Sequence, residues 1–167
     1  MTAGSLATPD SLALPDAAVQ AHSGFVRLHA YWLARIIDGR LPGRAQIDPL
    51  EMPRDLLPHI VLFEVVTAAD GARRYRFRLM GSAIAAIPGR DDTGRFYDET
   101  IAPDLYQSRG AGLDAIVDSG RPGYAASAHA APDREHIHVG RLGLPLASDG
   151  RTVDMILGIL LPLPRPD

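Results

Sequence analysis

The chain has 167 residues, 46% hydrophobic and 22% charged, which is length and apolar content enough for one domain with its own core. A formal charge of −3 gives no global electrostatic basis for binding nucleic acid or an anionic membrane surface directly. With no cysteine, disulfides, thiolate metal ligands and cysteine-linked flavin or haem are excluded.

Over residues 1–22, Pro9, Asp10, Pro15 and Asp16 interrupt the only apolar pieces, and no basic region precedes them. This segment reads as a flexible leader rather than a signal peptide. No uncharged apolar run approaches the ~20 residues needed to span a bilayer, the longest being 155–162. The expectation is a soluble, cytoplasmic protein without membrane contact.

From Phe25 onward, Phe25, Leu28, His29, Trp32, Leu33, Ile36 and Ile37 recur at three- and four-residue spacing and predict an amphipathic helix over 23–39, with Ser23 as N-cap and Gly39 as stop. Four prolines between 42 and 58 break up the next segment, leaving a short helix at 49–57 behind the cap residue Asp48. The β-branched run at 60–66, the Ala69-Asp70-Gly71 turn and the alternating run at 73–81 predict an antiparallel hairpin. Strict alternation puts Tyr75, Phe77 and Leu79 on one face of its second arm and Arg74, Arg76 and Arg78 on the other.

One or two helical turns at 82–87 and a Gly/Pro/Asp loop lead to a long helix at 101–119, carrying Leu105, Ser108, Gly112, Leu113, Ile116 and Val117 at helical spacing and ended by Gly120 and Pro122. Strands at 124–130, 135–146 and 152–161 complete a meander. Five strands in two blocks around a helical connection give an α+β domain, a five-stranded antiparallel sheet with helices on one face. The domain is expected at 23–163, divided into a flanking helix at 23–39 and a core at 40–163, with a tail at 164–167.

This order resembles the PAS arrangement, and two strings strengthen the match: YRFRLMGSAIAAIPGRDDTGR at 75–95, and LGLPLASDGRTVDMILGIL at 142–160 with its Pro-Leu pair before an Asp-Gly turn. The chain is closer still to a bacterial family of stand-alone, single-domain PAS proteins, through Tyr31-Trp32 and through Arg44, Asp48, Pro49, Leu57 and Pro58. The resemblance covers about residues 25–162. It implies a sheet and helices around a small core that in some members holds a ligand, a sensory or docking role, and an output that belongs to a signalling partner. It also implies a homodimer built on the flanking helix.

On that basis Phe77, Leu79, Ile84, Phe96 and Ile116 are expected around a pocket for a small apolar ligand, and Phe25, Trp32 and Ile36 at a dimer interface, with core packing as the other use of that stripe. Arg74, Arg76 and Arg78 form either an anion or acidic-partner surface or a solvated face, and Arg78 has Asp91 and Asp92 as candidate ion-pair partners. His129, His136 and His138 are near enough in a hairpin to suggest a metal or haem sensor, with His129 opposite His136. Ile137 and Val139 alternate with them, however, which turns the histidines outward, and no metal is expected. The cofactor, if any, is unspecified.

Catalysis has thin support. No Gly-x-Ser-x-Gly elbow occurs, and the carboxylate pairs Asp91-Asp92 and Asp98-Glu99 fall in turn-like segments. A small cone-shaped α+β enzyme of isomerase or hydratase type, with Asp91, Asp98 or a histidine as base, stands as the alternative to a non-catalytic regulatory module.

Overall fold

The computed structural model of the protein describes residues 6–128, 133 and 136–164. The β-branched and alternating runs form the hairpin β1 (Ile60–Thr67) and β2 (Arg73–Met80), closed by a turn in which the Asp70 carboxylate accepts from the Ala72 N–H and Gly71 has φ of +86°. After the short helix α4 (Ser82–Ala85) and the long helix α5 (Pro103–Ser119) come β3 (Gly123–Ala128), β4 (His138–Leu146) and β5 (Met155–Pro162). The sheet order is β2-β1-β5-β4-β3 and every neighbouring pair is antiparallel. The last strand therefore joins the two blocks of the sequence into one sheet.

Alternation gives this sheet two differently covered faces. On one, Leu62 pairs with Leu157, Ile60 with Ile159, and Leu142 with Ile159, all of them buried. The flanking helix α3 (Ser23–Leu33) lies over this face, with Phe25 and Trp32 fully buried beneath it. Its position is fixed by close approach, since a Cβ on Gly140 would come within 2.9 Å of the Phe25 ring. The opposite face carries Phe63, Ile156, Gly143 and Gly158 and lies under α5, where a Cβ on Gly143 would stand 2.6 Å from Ile116.

The N-terminal region departs from the expected flexible leader over residues 6–22. Two four-residue helices, α1 (Pro9–Leu12) and α2 (Ala17–Gln20), are each started by a side-chain cap, Thr8 for the first and Asp16 for the second. Val19 of α2 and Leu14 of the link between the helices are buried in the common core, and His29 makes a 2.7 Å hydrogen bond to the Leu12 carbonyl. Burial of two apolar side chains offsets the ordering cost that composition alone suggested.

Other boundaries differ as well, and the strands and the long helix are shifted from the expected ranges by up to three residues at their ends. The helix expected over 23–39 ends at Leu33, and the chain then turns tightly through Asp38 (φ +51°) and Gly39 (φ +71°). Its N-cap is His22, whose Nδ1 accepts from the Gly24 N–H at 3.2 Å, rather than Ser23. The helix expected at 49–57 is replaced by separate 3₁₀ turns at Pro49–Glu51 and Leu57–His59, because Pro53 and Pro58 cannot donate to a continuous ladder. Asp48 does cap the first of these turns, accepting from the Leu50 N–H at 2.9 Å.

Candidate functional site: a cavity beneath the long helix

The space between α5 and the sheet is a cavity of about 540 Å³, inside the size range typical of small-molecule sites. Three glycines on adjacent strands make its floor: Gly123 pairs with Gly143, and Gly143 with Gly158. Their bare backbone leaves room where ordinary side chains would fill the core. The wall is aromatic, with Phe63 4.9 Å from Phe77 and 5.1 Å from Tyr97 between ring centroids, and Tyr97 edge-on to Tyr106 at 5.7 Å.

Of the residues expected at the pocket, Phe77, Ile84 and Ile116 line the cavity and Leu79 and Phe96 do not. A β-bulge explains the first miss. Leu62 pairs with Leu79 and Phe63 with Phe77, so Arg78 is an extra residue and the side chains beyond it change faces. Met80, paired with Val61, takes the cavity position instead. Phe96 is missed for a related reason: residues 94–96 run beside β2, with the Phe77 N–H donating to the Arg95 carbonyl at 3.0 Å and the Gly94 N–H to the Phe77 carbonyl at 2.8 Å. Alternation along this short edge sends Tyr97 inward and leaves Phe96 outside, under the Arg74 guanidinium at 3.8 Å from the ring centroid.

The arginine stripe is neutralised by the chain itself. Arg74 grips Asp98 with two hydrogen bonds of 2.6 and 2.7 Å, and Arg76 reaches Glu64 at 2.9 Å. The Arg74 hydrogen bonds hold the Asp98 carboxyl below its usual range. Arg78 stands 3.8 Å from Glu64, not beside Asp91 or Asp92 as expected.

The dimer stripe is likewise internal, because Phe25 and Trp32 are fully buried against the sheet and Ile36, beyond the helix end, is half-buried against the core. A helix that looked too apolar for a small sheet has a whole sheet face to cover.

Neither carboxylate proposed as a base enters the cavity. Asp91 is exposed and accepts from the Thr93 N–H and hydroxyl, which together lower its pKa, and Asp98 is paired with Arg74. The carboxylate that does line the cavity is Asp92, 2% exposed, which accepts from Arg90 Nε at 2.6 Å and Arg95 Nη1 at 3.0 Å. It ties down the loop of residues 88–95.

Of the three histidines, His129 lies outside the described residues. His136 and His138 are exposed, and His138 pairs with Ala128, one residue away from the register that sets His129 opposite His136. Among the described residues no three His, Cys, Asp or Glu side chains are grouped to hold a metal ion.

Among the further lining residues that the sequence did not point to are two cations, Arg109 on α5 and Arg141 on β4. Arg109 Nη1 donates to the Tyr97 hydroxyl at 3.2 Å and its Nε is buried without an acceptor; Arg141 Nη1 donates to Ser127 Oγ at 2.8 Å. Neither has a carboxylate within ion-pair distance among the described residues. Burial, and then the like charge on Arg109, holds Arg141 below the usual arginine pKa.

A family model for the PAS domain matches residues 20–161, most of the chain and all five strands. The chain belongs to the PAS domain family. PAS membership accounts for the antiparallel sheet, the helical connection between its two blocks and the closing hairpin, and it assigns the chain to a family of sensory domains.

Among solved structures, the chain is similar to a domain described as part of a light and redox sensing histidine kinase from Haloarcula marismortui, at 19% identity and a TM-score of 0.43, over 63% of this chain and 90% of that one. It is also similar to an RNA-binding light-oxygen-voltage receptor, at 17% identity and a TM-score of 0.35, over 65% of this chain and 32% of that one. Comparison with curated proteins finds no match. No helix among the described residues is long and apolar enough to cross a membrane.

Proposed function

We propose that this PAS domain is a non-catalytic regulatory module that binds a small molecule in the cavity beneath α5 and passes the bound state to a signalling partner. The cavity carries the reading. A core of this size could be filled by side chains, yet a glycine row and a helix resting above it leave about 540 Å³ of mainly apolar space. Phe77, Ile84 and Ile116 would contact the ligand. Catalysis has no support from the site's geometry, since the cavity's one carboxylate, Asp92, is engaged by two arginines.

Output through a second copy of the chain is part of the same proposal, but not through Phe25 and Trp32, which the fold uses internally. Native mass spectrometry of the full chain, with an absorbance scan of the same sample, tests both parts. A defined small-molecule adduct in a dimer is the expected result. A bare monomer that also takes up no added apolar compound would overturn the reading.

A further inference from the structure

Arg109 and Arg141 are half-buried, and withdrawing a guanidinium from water is costly unless something pairs with it. Among the described residues, ten ion pairs tie other arginines to Asp or Glu, and none of them includes the two arginines in the cavity. Arg109 reaches in from the helix above and Arg141 from the strand below, each with one side-chain hydrogen bond to a neutral hydroxyl. Arg109 Nε is buried with no acceptor among the described residues.

The one acidic lining residue, Asp92, does not offset them, because Arg90 and Arg95 already occupy its Oδ1. The rest of the lining is chiefly apolar: Phe63, Met80, Ile84, Leu113, Ile156 and Leu160. A ligand made only of hydrocarbon would leave both cations unpaired.

We infer that the ligand is a monoanion with an apolar body, a carboxylate whose two oxygens lie between Arg109 and Arg141 while its hydrocarbon part fills the aromatic and aliphatic remainder of the cavity. A carboxylate matches two guanidinium forks in charge and in lone-pair number, and its pairing is strongest where water is excluded. The inference rests on the ligand-binding reading above and narrows it to a chemical class. No position of the arginine stripe on β2 enters into it, since those charges are already paired.

Two matched probe series decide the question by isothermal titration of the full chain: decanoate, decanol and decylamine, and naphthoate with naphthol. In at least one series the acid should bind about tenfold more tightly than its alcohol, with the amine weaker again. Arg109→Gln and Arg141→Gln should each cost about tenfold in acid affinity and leave the alcohol unchanged within about twofold. Arg141→Lys, which keeps the charge, should retain part of the acid affinity even if a neutral variant fails to fold.

If the alcohols bind as tightly as the acids, or the arginine variants bind the acids unchanged, the anionic head is wrong while ligand binding in the cavity stands. If no member of either series binds, both readings fall.

Discussion

The indole Nε1 of Trp32 donates to the Pro145 carbonyl at 2.9 Å, pinning the flanking helix to the strand that carries Arg141 on its other face. Trp32→Phe keeps most of the ring volume and removes this bond, and should cost about 1–2 kcal/mol by leaving a buried carbonyl short of a donor. Trp32→Ala should cost about 3–5 kcal/mol through the void it opens. Urea unfolding measures both, and equal stability of Trp32→Phe and wild type would show that the bond contributes nothing.

Gly112 sits in the middle of α5, on its exposed side at the cavity edge, and a Cβ there would meet nothing within 4 Å. Gly112→Ala should therefore stabilise the fold by about 0.5–1 kcal/mol, the helix-propensity difference with no clash against it. Gly110→Ala, which places a methyl 3.1 Å from the Tyr106 ring, should gain less. A destabilised Gly112→Ala would mean that the residue at 112 meets something the structure leaves open.

Arg141 meets no carboxylate among the described residues and faces the like charge of Arg109, so replacing it should not weaken the unliganded protein. Arg141→Met should raise its stability by on the order of 1 kcal/mol, because desolvation and repulsion both disappear. Thermal melts without ligand report this directly. A loss of stability would indicate that Ser127 or another neighbour gains more from Arg141 than its charge costs.

Asp98 supplies a pH dependence. Its folded pKa is depressed, chiefly by the Arg74 hydrogen bonds, so its contribution is fully present above the unfolded carboxyl value and is lost as pH falls through the folded one. Asp98→Asn should melt below wild type at pH values above the unfolded carboxyl pKa, and the gap should close as pH falls through the depressed folded one. A constant gap across that range would show that Asp98 acts through packing rather than charge.

Element order and fold were legible because they are written in periodicity: two blocks of strands, a long helix closed by Gly120 at φ +65°, and turns marked by Asp-Gly. The errors arose where one residue changes a phase. The Arg78 bulge exchanges Leu79 for Met80, and the edge at 94–96 exchanges Phe96 for Tyr97, although the alternation on either side is regular.

The cavity cations were hidden differently. Val139, Arg141 and Gly143 alternate with Gly140, Leu142 and Leu144, but both faces of β4 are covered, so alternation cannot say which residue is inside. On α5 a signal did exist, since Arg109 falls four residues after Leu105 and four before Leu113, within the apolar stripe.

The row Gly123, Gly143, Gly158 couples the histories of distant positions. A Cβ on Gly123 or on Gly143 would meet Ile116 at 2.6 Å, so helix and floor touch through one side chain resting on bare backbone. Related sequences that carry alanine at either site must carry something smaller than isoleucine at position 116, or seat the helix higher and enlarge the chamber. Substitutions at these points of the chain are thus expected to arise in pairs, and descendants that differ there would differ in the size of molecule they admit.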